Sequence, residues 1–454
     1  MIATTFAALF MAAVTPPRQM TACPPLPPRL YRGSAATPAL SGLQVAVLSR
    51  GAVICTYAEG AARWQGRQPA AELTSRHRVR IASISKLVVA MGVMRLAEEA
   101  KLDLDADVSR YLGFVLRNPA FPDRPVTLRH LLAHTSSVRD GGRYWLDPGE
   151  TMADFFAPGG ARYEGGAHLA DGEGMEPGRY FTYANLNFGV AAAVIEHVTG
   201  TRFDRYLKTA VLDPLGIDGA AFNPCEVVAG GAPLATLYRK SPEGSVWDPK
   251  GPWHAQADGE TLTCAVGLAA RPRGAPDLGD DPVPGYVPGS NPTYFSPQGG
   301  LRAHAGHVAR LLAALRPRDN AVLSEETVRA MLETQWQLDA DGTNGTTTEG
   351  NIGGAFDGLM TRYGLSVHLV DLARWGLGED APKLAGHLGE AYGLLGTALI
   401  DPETGDGLVA LVTGTADDPA RHPGTTPLYR VEEEILRWWL GTFSPSGFSG
   451  IPQP

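Results

Sequence analysis

The chain contains few cysteines: its 454 residues include only four, Cys23, Cys55, Cys225 and Cys264. None forms a CxxC pair and no cysteine–histidine cluster has the spacing of a zinc site, so we expect no structural metal and no cofactor. Charged residues are also scarce, at 19%, and the formal net charge is -9. Because no run of lysine and arginine is long enough to follow a phosphate backbone, we do not expect nucleic acid as a partner.

The N-terminus lacks an apolar run long enough to anchor the chain across a bilayer. Ile2–Val14 is too short to span one and resembles the core of a signal peptide, although no basic leader precedes it. Met20–Cys23 resembles a lipoprotein box with Cys23 as a lipidated membrane tether, although Pro16–Arg18 separate it from the apolar run. We expect an exported protein, periplasmic or tethered to a membrane; a cytoplasmic protein with a misassigned start is the alternative.

Hydrophobic residues make up 44% of the chain, which predicts a globular protein, and 54 glycines and 36 prolines predict many loops. After the signal or lipoprotein segment at 1–23, the proline-rich residues 24–38 predict a tether. We then expect one folded domain at 39–441, which contains a mostly helical lobe at about 86–300 with a loop-rich insertion at 225–297, and finally a tail at 442–454.

The order of local patterns predicts the fold class. Two β-prone segments near the N-terminus, Leu43–Ser49 and Val53–Ala58, predict a hairpin. The middle of the chain is helical, and strand signals return at 363–369, 387 onward, 392–400 and 408–413, before an amphipathic helix at 431–440. We predict an α+β fold in which N- and C-terminal strands share one antiparallel sheet flanked by helices, beside a mostly helical lobe.

Two cysteines bracket the loop-rich insertion. The residues between Cys225 and Cys264 have little apolar content of their own, and an exported protein meets an oxidising environment. We therefore predict a Cys225–Cys264 disulfide; two unrelated thiols are the alternative.

The segment Ser83-Ile84-Ser85-Lys86 has the spacing S-x-x-K at the start of a helix that is apolar on nearly all sides. Such a helix is buried, so Lys86 must be paired or functional. Lys86 lies one turn after Ser83 on the same face, where it can act as the base that a serine nucleophile needs. A serine N-cap beside a buried ion-pair lysine is the structural alternative.

Two further segments carry groups of the right chemistry. Tyr183-Ala184-Asn185 stands just before a predicted helix, where the tyrosine can relay a proton and the asparagine amide can bind an acyl carbonyl. His387-Leu388-Gly389 lies in a predicted strand, and its glycine would let a substrate backbone approach closely. The N–H groups of Ser83 and Glu390 would form an oxyanion hole. Each segment alone also fits an ordinary core or surface role.

Taken in this order, the three segments resemble the motifs of the serine β-lactamase and penicillin-binding protein superfamily, in its class C-related branch of DD-peptidases and esterases. The resemblance extends over about residues 40–440 and includes flanking text such as Arg80-Ile81-Ala82 and the His134-Thr135-Ser136 turn. It implies the fold of that superfamily and an acyl-enzyme route through Ser83, Lys86, Tyr183, Asn185 and His387. It also implies a structural role for His134, in fixing a loop.

Three departures from the family pattern lie in one strand. His387 replaces a lysine, Leu388 replaces a hydroxyl residue, and Glu390 brings a carboxylate beside the expected oxyanion position. These changes predict a preference for neutral or cationic acyl substrates over those that carry a carboxylate, as penicillins do. We therefore expect a hydrolase of esters or amides with a small-molecule or peptide substrate. A true β-lactamase and a non-catalytic penicillin-binding sensor are the alternatives.

Overall fold

The computed structural model describes residues 23–33, 39–147, 149–242, 246–259, 286–318, 320–347, 358–416, 418 and 426–443. Its centre is a sheet of nine antiparallel strands. Their bounds are β1 Gly42–Ser49, β2 Ala52–Gln65, β3 Gln68–Glu72, β8 Trp336–Gln337, β9 Arg362–Tyr363, β10 His368–Asp371, β11 Lys383–Ala391, β12 Leu394–Ile400 and β13 Gly407–Val412. The strands follow one another across the sheet in the order β3-β2-β1-β13-β12-β11-β10-β9-β8. β1 pairs with β13 in the register Leu43↔Val412. The predicted union of N- and C-terminal strands in one sheet is confirmed.

The remaining strands form two small ladders away from the sheet. They are β4 Val79–Arg80 with β7 Arg302–Ala303, and β5 Leu237–Arg239 with β6 His254–Ala257. The helices are α1 Arg29–Arg32, α2 Ser85–Glu98, α3 Ser109–Leu112, α4 Leu128–Leu132, α5 Ala153–Phe156, α6 Leu186–Thr199, α7 Phe203–Leu207, α8 Pro224–Ala229, α9 Ala305–Ala313, α10 Glu325–Leu332 and α11 Arg430–Phe443. Within the described ranges, no helix is long and apolar enough to cross a membrane.

Both faces of the sheet are covered, which explains why its central strands are almost continuously apolar. One face packs against α9 and the turn Ala82–Ile84, and holds the larger hydrophobic core, to which α2 and α6 of the helical lobe also contribute. The other face packs against α11 and α1 in a second core. The fold is therefore α+β, as expected, with β11 and β12 in contact with both cores.

Two element predictions need correction. The predicted strand 363–369 is broken into β9 and β10, because Gly364 and Ser366 form a turn: Gly364 N–H bonds to Val367 O, and Ser366 adopts a left-handed φ of 59°. The helix expected from Ser83 starts as a 3-10 turn, Ala82–Ile84, and becomes α-helical at Ser85. The Thr127 side chain caps α4 by accepting a hydrogen bond from His130 N–H, and α6 ends at Gly200.

The predicted tether is in part packed. Residues 24–33 lie against the α11 side of the sheet, because Leu26 and Leu30 are buried in the second core. A disulfide between Cys23 and Cys55, with Cα atoms 5.7 Å apart, joins this segment to β2. A bridged sulfur cannot carry a lipid, so this disulfide and the expected tether through Cys23 exclude each other.

The other expected disulfide stays a prediction. Cys225 is buried on α8, whereas Cys264 lies outside the described residues. The described parts of the insertion contain α8 and the β5–β6 ladder, which agrees with the expected loops and short strands.

Candidate active site

The centre of the candidate site is a pair of side chains at the start of α2. Lys86 Nζ donates a hydrogen bond to Ser83 Oγ over 2.8 Å. Both residues are buried, with 0% of Lys86 and 5% of Ser83 exposed. The 3-10 turn places Ser83 one turn before Lys86, and Ala82 adopts a left-handed φ of 45° at the bend. The predicted nucleophile–base pair is thus present at hydrogen-bonding distance.

The side-chain nitrogen of Lys86 is held by two further oxygens. It donates to Asn185 Oδ1 over 2.8 Å and to the carbonyl of Gln298 over 3.0 Å. The rings of Tyr183 and Phe188 also face it, at 4.7 Å and 5.5 Å from Nζ to the ring centroids. These contacts fix the lysine head in a dry pocket beside the serine.

Asp140, which the sequence did not single out, orients Asn185. Its carboxylate accepts hydrogen bonds from Asn185 Nδ2 over 2.9 Å and from the backbone N–H of Leu186 over 2.8 Å. Since the amide nitrogen of Asn185 faces Asp140, its oxygen faces Lys86. Burial raises the pKa of Asp140, and these hydrogen bonds and the charge of Lys86 oppose that rise.

Tyr183 is buried beside the pair and is positioned by His134. The two rings stack with centroids 4.3 Å apart, and His134 Nδ1 accepts a hydrogen bond from the backbone N–H of Ala184 over 3.1 Å. Burial, with the charge of Lys86 as a second cause, lowers the pKa of His134 well below its usual value, so this ring is neutral near pH 7. These contacts agree with a structural role for His134.

His387 lies on β11 with its ring facing the same pocket. Its Nε2 is within hydrogen-bonding distance, 3.1 Å, of the Tyr363 hydroxyl, and its ring centroid is 4.4 Å from that of His368. Burial lowers the pKa of His387 well below its usual value, and it lowers that of His368 to about 3. The lysine of the family pattern is therefore replaced by a neutral imidazole. Tyr363 and His368 were not predicted from the sequence.

Gly389 allows the nucleophile turn to press against the sheet. A Cβ at this position would lie 2.7 Å from the carbonyl oxygen of Ile81, and one on its partner Gly396 would lie 3.1 Å from Ile84 Cδ1. The predicted reason for this glycine was close approach of a substrate backbone. The structure shows a further reason, the close approach of the chain's own turn before Ser83; the approach of a substrate backbone stays a prediction.

Glu390 does not point into the site. Its carboxylate accepts a hydrogen bond from the hydroxyl of Tyr429 over 2.7 Å, and Leu388 packs against the same second core. Successive side chains of a strand alternate between faces, so Leu388 and Glu390 face α11 while His387 and Gly389 face the helical lobe. Burial raises the pKa of Glu390. The expectation of a repelling carboxylate at the oxyanion position is wrong; only the backbone N–H of Glu390 can take part.

No group of three or more histidine, cysteine, aspartate or glutamate residues that could hold a metal ion occurs in the described part of the chain. The arrangement instead offers a serine hydroxyl, a lysine amine, a tyrosine hydroxyl and an amide around one pocket. These are groups for proton transfer and nucleophilic attack.

Comparison with known proteins identifies a family model described as Beta-lactamase, which matches residues 29–428. A curated relative, the esterase EstB of Burkholderia gladioli, is 29% identical over 304 residues, which span 62% of this chain and 71% of that protein. Other curated relatives match over only about a third of their own length.

Two solved structures share the fold. An octameric penicillin-binding protein homologue from Pyrococcus abyssi superposes with a TM-score of 0.60 at 22% identity, covering 88% of this chain and 74% of that one. D-amino acid amidase from Ochrobactrum anthropi SV3 superposes with a TM-score of 0.55 at 19% identity, covering 88% and 92%. At these identities the likeness establishes the architecture alone.

Proposed function

The chain belongs to the Beta-lactamase family of serine hydrolases, and from that membership we propose that it hydrolyses esters or amides through an acyl-enzyme on Ser83. The observation that carries the proposal is the 2.8 Å hydrogen bond between Lys86 Nζ and Ser83 Oγ in a buried pocket. A serine hydroxyl attacks a carbonyl only when a base within this distance accepts its proton.

The proposed reaction has two halves. Neutral Lys86 accepts the Ser83 proton as Oγ bonds to the substrate carbonyl carbon, and the N–H groups of Ser83 and Glu390 stabilise the oxyanion. The proton then passes through Lys86 and Tyr183 to the departing alcohol or amine as the acyl–leaving group bond breaks. Water, deprotonated by the same pair, attacks the ester carbonyl, releases the acid and returns the proton to Ser83.

The substrate class follows from the relatives and from His387. Among the proteins that this chain resembles, one is named an esterase and another a D-amino acid amidase, so we propose ester and amide substrates. A neutral His387 offers no fixed positive charge at the end of the pocket near Tyr183. A penicillin carboxylate would therefore gain no ion pair from His387, which places β-lactams behind esters and amides.

A fluorophosphonate probe that labels nucleophilic serines tests the assignment. Wild type should be labelled and Ser83→Ala should not. Ser85→Ala is the matched control, because the Ser85 hydroxyl lies two residues away, is equally buried and accepts a hydrogen bond from Leu301 N–H instead. Labelling that persists in Ser83→Ala, or disappears equally in Ser85→Ala, would refute Ser83 as the nucleophile.

Lys86→Ala should lower kcat/KM by roughly 10³-fold or more while the protein remains folded, since the serine loses its base. Lys240→Ala is the control: Lys240 is also buried, but its Nζ bonds to Gly251 O and lies over Trp253, away from Ser83. Near-normal turnover in Lys86→Ala would contradict the proposed role.

We also propose that the protein is exported. The Cys23–Cys55 disulfide supports this, because disulfides persist in oxidising compartments. Mass mapping of protein from the periplasm and from the cytoplasm tests it: a bridged Cys23 peptide should occur in the exported fraction, and its absence there would contradict the proposal.

A further inference from the structure

Arg80, three residues before Ser83, is a buried cation without a bound carboxylate. Only 4% of it is exposed, and its Nε donates to the carbonyl of Gly299 over 3.0 Å. Within the described residues, neither terminal guanidinium nitrogen donates a hydrogen bond, and no carboxylate forms an ion pair with this arginine. A buried charge without a counterion is costly, so this arrangement needs an explanation.

Arg302, a buried arginine next to Arg80, does have a counterion. Arg302 lies directly opposite Arg80 in the β4–β7 ladder. Its guanidinium forms a two-pronged ion pair with Asp258 at 3.0 Å and 2.8 Å, and both side chains are buried. Two arginines therefore share one carboxylate, and the two prongs commit that carboxylate to Arg302. Among the residues that the structure describes, one negative charge is lacking at this place.

Arg80 lies beside Tyr392, just after the C-terminal end of β11. Its guanidinium is 4.6 Å from the ring centroid of Tyr392, which follows the proposed oxyanion donor Glu390 by two residues. His387 lies three residues before Glu390 on β11, and its ring centroid is 6.2 Å from that of Tyr183. Since the proposed role of Tyr183 is to pass a proton to the leaving group, we expect the acyl group to extend the other way, toward Tyr392, about 7 Å beyond the oxyanion donor at the usual strand rise.

The aromatic residue over Arg80 occupies an unfavourable backbone position. Tyr392 and Gly393 have φ values of 56° and 90° in the two-residue turn between β11 and β12. Turns of this kind favour asparagine, aspartate or glycine at the first position, and a large ring there is uncommon. The ring nevertheless remains 42% exposed at the edge of the site, so it can border a path to the cation beneath it.

We propose that Arg80, bordered by Tyr392, binds a carboxylate at the far end of the substrate's acyl chain. The inference rests on the proposed acyl-enzyme function and specifies its substrate class: esters or amides of dicarboxylic acids, cleaved at one carboxyl while the other pairs with Arg80. The guanidinium has free donors for both oxygens of such a group. This site differs from the position near His387, whose own imidazole is neutral.

A matched substrate pair tests the proposal: the 4-nitrophenyl monoester of adipic acid and 4-nitrophenyl hexanoate, which have equal chain length and differ in the terminal carboxylate. The measured quantity is the ratio of kcat/KM for the two esters after subtraction of spontaneous hydrolysis. Wild type should favour the adipate ester. In Arg80→Gln the ratio should fall roughly 10-fold to 100-fold, the usual size of a charge-assisted contact, whereas Arg80→Lys should retain part of it.

Arg239→Gln is the matched control, because Arg239 packs near Gly393 at the same turn and faces Glu390, not Ser83. Its ratio should equal that of wild type. A wild type that hydrolyses hexanoate without favouring adipate would refute the anion site and leave the hydrolase assignment intact. Equal losses on both esters in Arg80→Gln would also refute the anion site, because the ratio would then keep its wild-type value. Absence of hydrolysis and of Ser83 labelling would instead refute the proposed function, and this inference with it.

Discussion

The two faces of β11 show how one short segment serves two different environments. On the face toward the helical lobe, His387 is neutral beside Tyr363, and Gly389 leaves room for the nucleophile turn. On the face toward α11, Leu388 and Glu390 join a second core in which Glu390 bonds to Tyr429. Residues adjacent in sequence are therefore separated by the thickness of the sheet.

This difference shows that only every second residue of a motif in a strand places its side chain in the same site. His387 and Gly389 belong to the site, whereas the residues between and after them stabilise the attachment of α11. Of the three departures from the family pattern, only His387 changes the pocket itself. The expected discrimination against substrates with a carboxylate therefore no longer rests on Leu388 or Glu390. The proposed site at Arg80 is a place where a carboxylate at the far end of the acyl chain can bind.

Among substitutions on the two faces of β11 and their neighbours, we expect Gly389→Ala to cause the largest loss of kcat/KM. The added Cβ would lie 2.7 Å from Ile81 O, a backbone atom that can move only with the turn that carries Ser83. A displacement of the nucleophile by about 1 Å can cost roughly 100-fold in kcat/KM. Gly396→Ala, on the same face, meets the flexible Ile84 Cδ1 at 3.1 Å and should cost far less. Equal losses, measured by ester hydrolysis, would contradict the close-approach role of Gly389.

Asp140→Asn should have the next largest effect. An asparagine there presents an amide nitrogen to Asn185 or to Leu186 N–H, so one of the two hydrogen bonds is lost. If the Asn185 amide turns, its oxygen leaves Lys86, and we expect roughly a 10-fold loss in the rate of Ser83 acylation. The rate of fluorophosphonate labelling measures this. Asp154→Asn, at an exposed turn, is the control, and an unchanged labelling rate in Asp140→Asn would exclude the positioning role.

Glu432→Gln tests the α11 face of the sheet, and the measured quantity is the free energy of unfolding as a function of pH. Burial, reinforced by nearby Glu390 and opposed by the Thr397 hydrogen bond, raises the pKa of Glu432 from 4.5 to about 7. The folded state then binds a proton more tightly than the unfolded state, so wild-type stability falls as the pH rises from about 4.5 to about 7. Glutamine retains the acceptor for Thr397 and carries no charge. The variant should be more stable than wild type at pH 8 by on the order of 2 kcal/mol, and equal to it near pH 4.

Urea unfolding at several pH values measures this difference. Glu434→Gln on the same helix is the control and should keep the wild-type pH dependence. A Glu432→Gln protein whose stability still falls between pH 5 and pH 7 as steeply as wild type would show that another group is responsible.

Glu390→Thr should have the smallest effect on substrate choice. Since the Glu390 side chain faces Tyr429 and not Ser83, its charge lies behind the strand. The ratio of kcat/KM for the ester pair with and without a carboxylate should change less than about twofold. A larger shift toward the anionic ester would mean that the carboxylate reaches the pocket after all.

The fold class and the central pair could be predicted because their signals are local. The apolar helix around Lys86, the Tyr183-Ala184-Asn185 segment before α6 and the Gly200 stop each depend on neighbours within a few residues. The partners Asp140, Tyr363 and His368 could not be predicted. They reach the site from separate loops and strands, and nothing in their immediate sequence distinguishes them from ordinary polar or core residues.

The sequence by itself determined which groups are available: a serine with a lysine one turn away, an amide, a tyrosine and a histidine in place of a lysine. Tertiary structure decided which of them meet. Sheet alternation turned Glu390 away, and a turn at 364–367 brought His368 beside His387. The β4–β7 ladder set Arg80 opposite another arginine, with no ion-paired carboxylate among the described residues. The physical reason is that helix and strand periods depend on short-range backbone geometry, whereas charge compensation and side-chain contact depend on segments far apart in the chain.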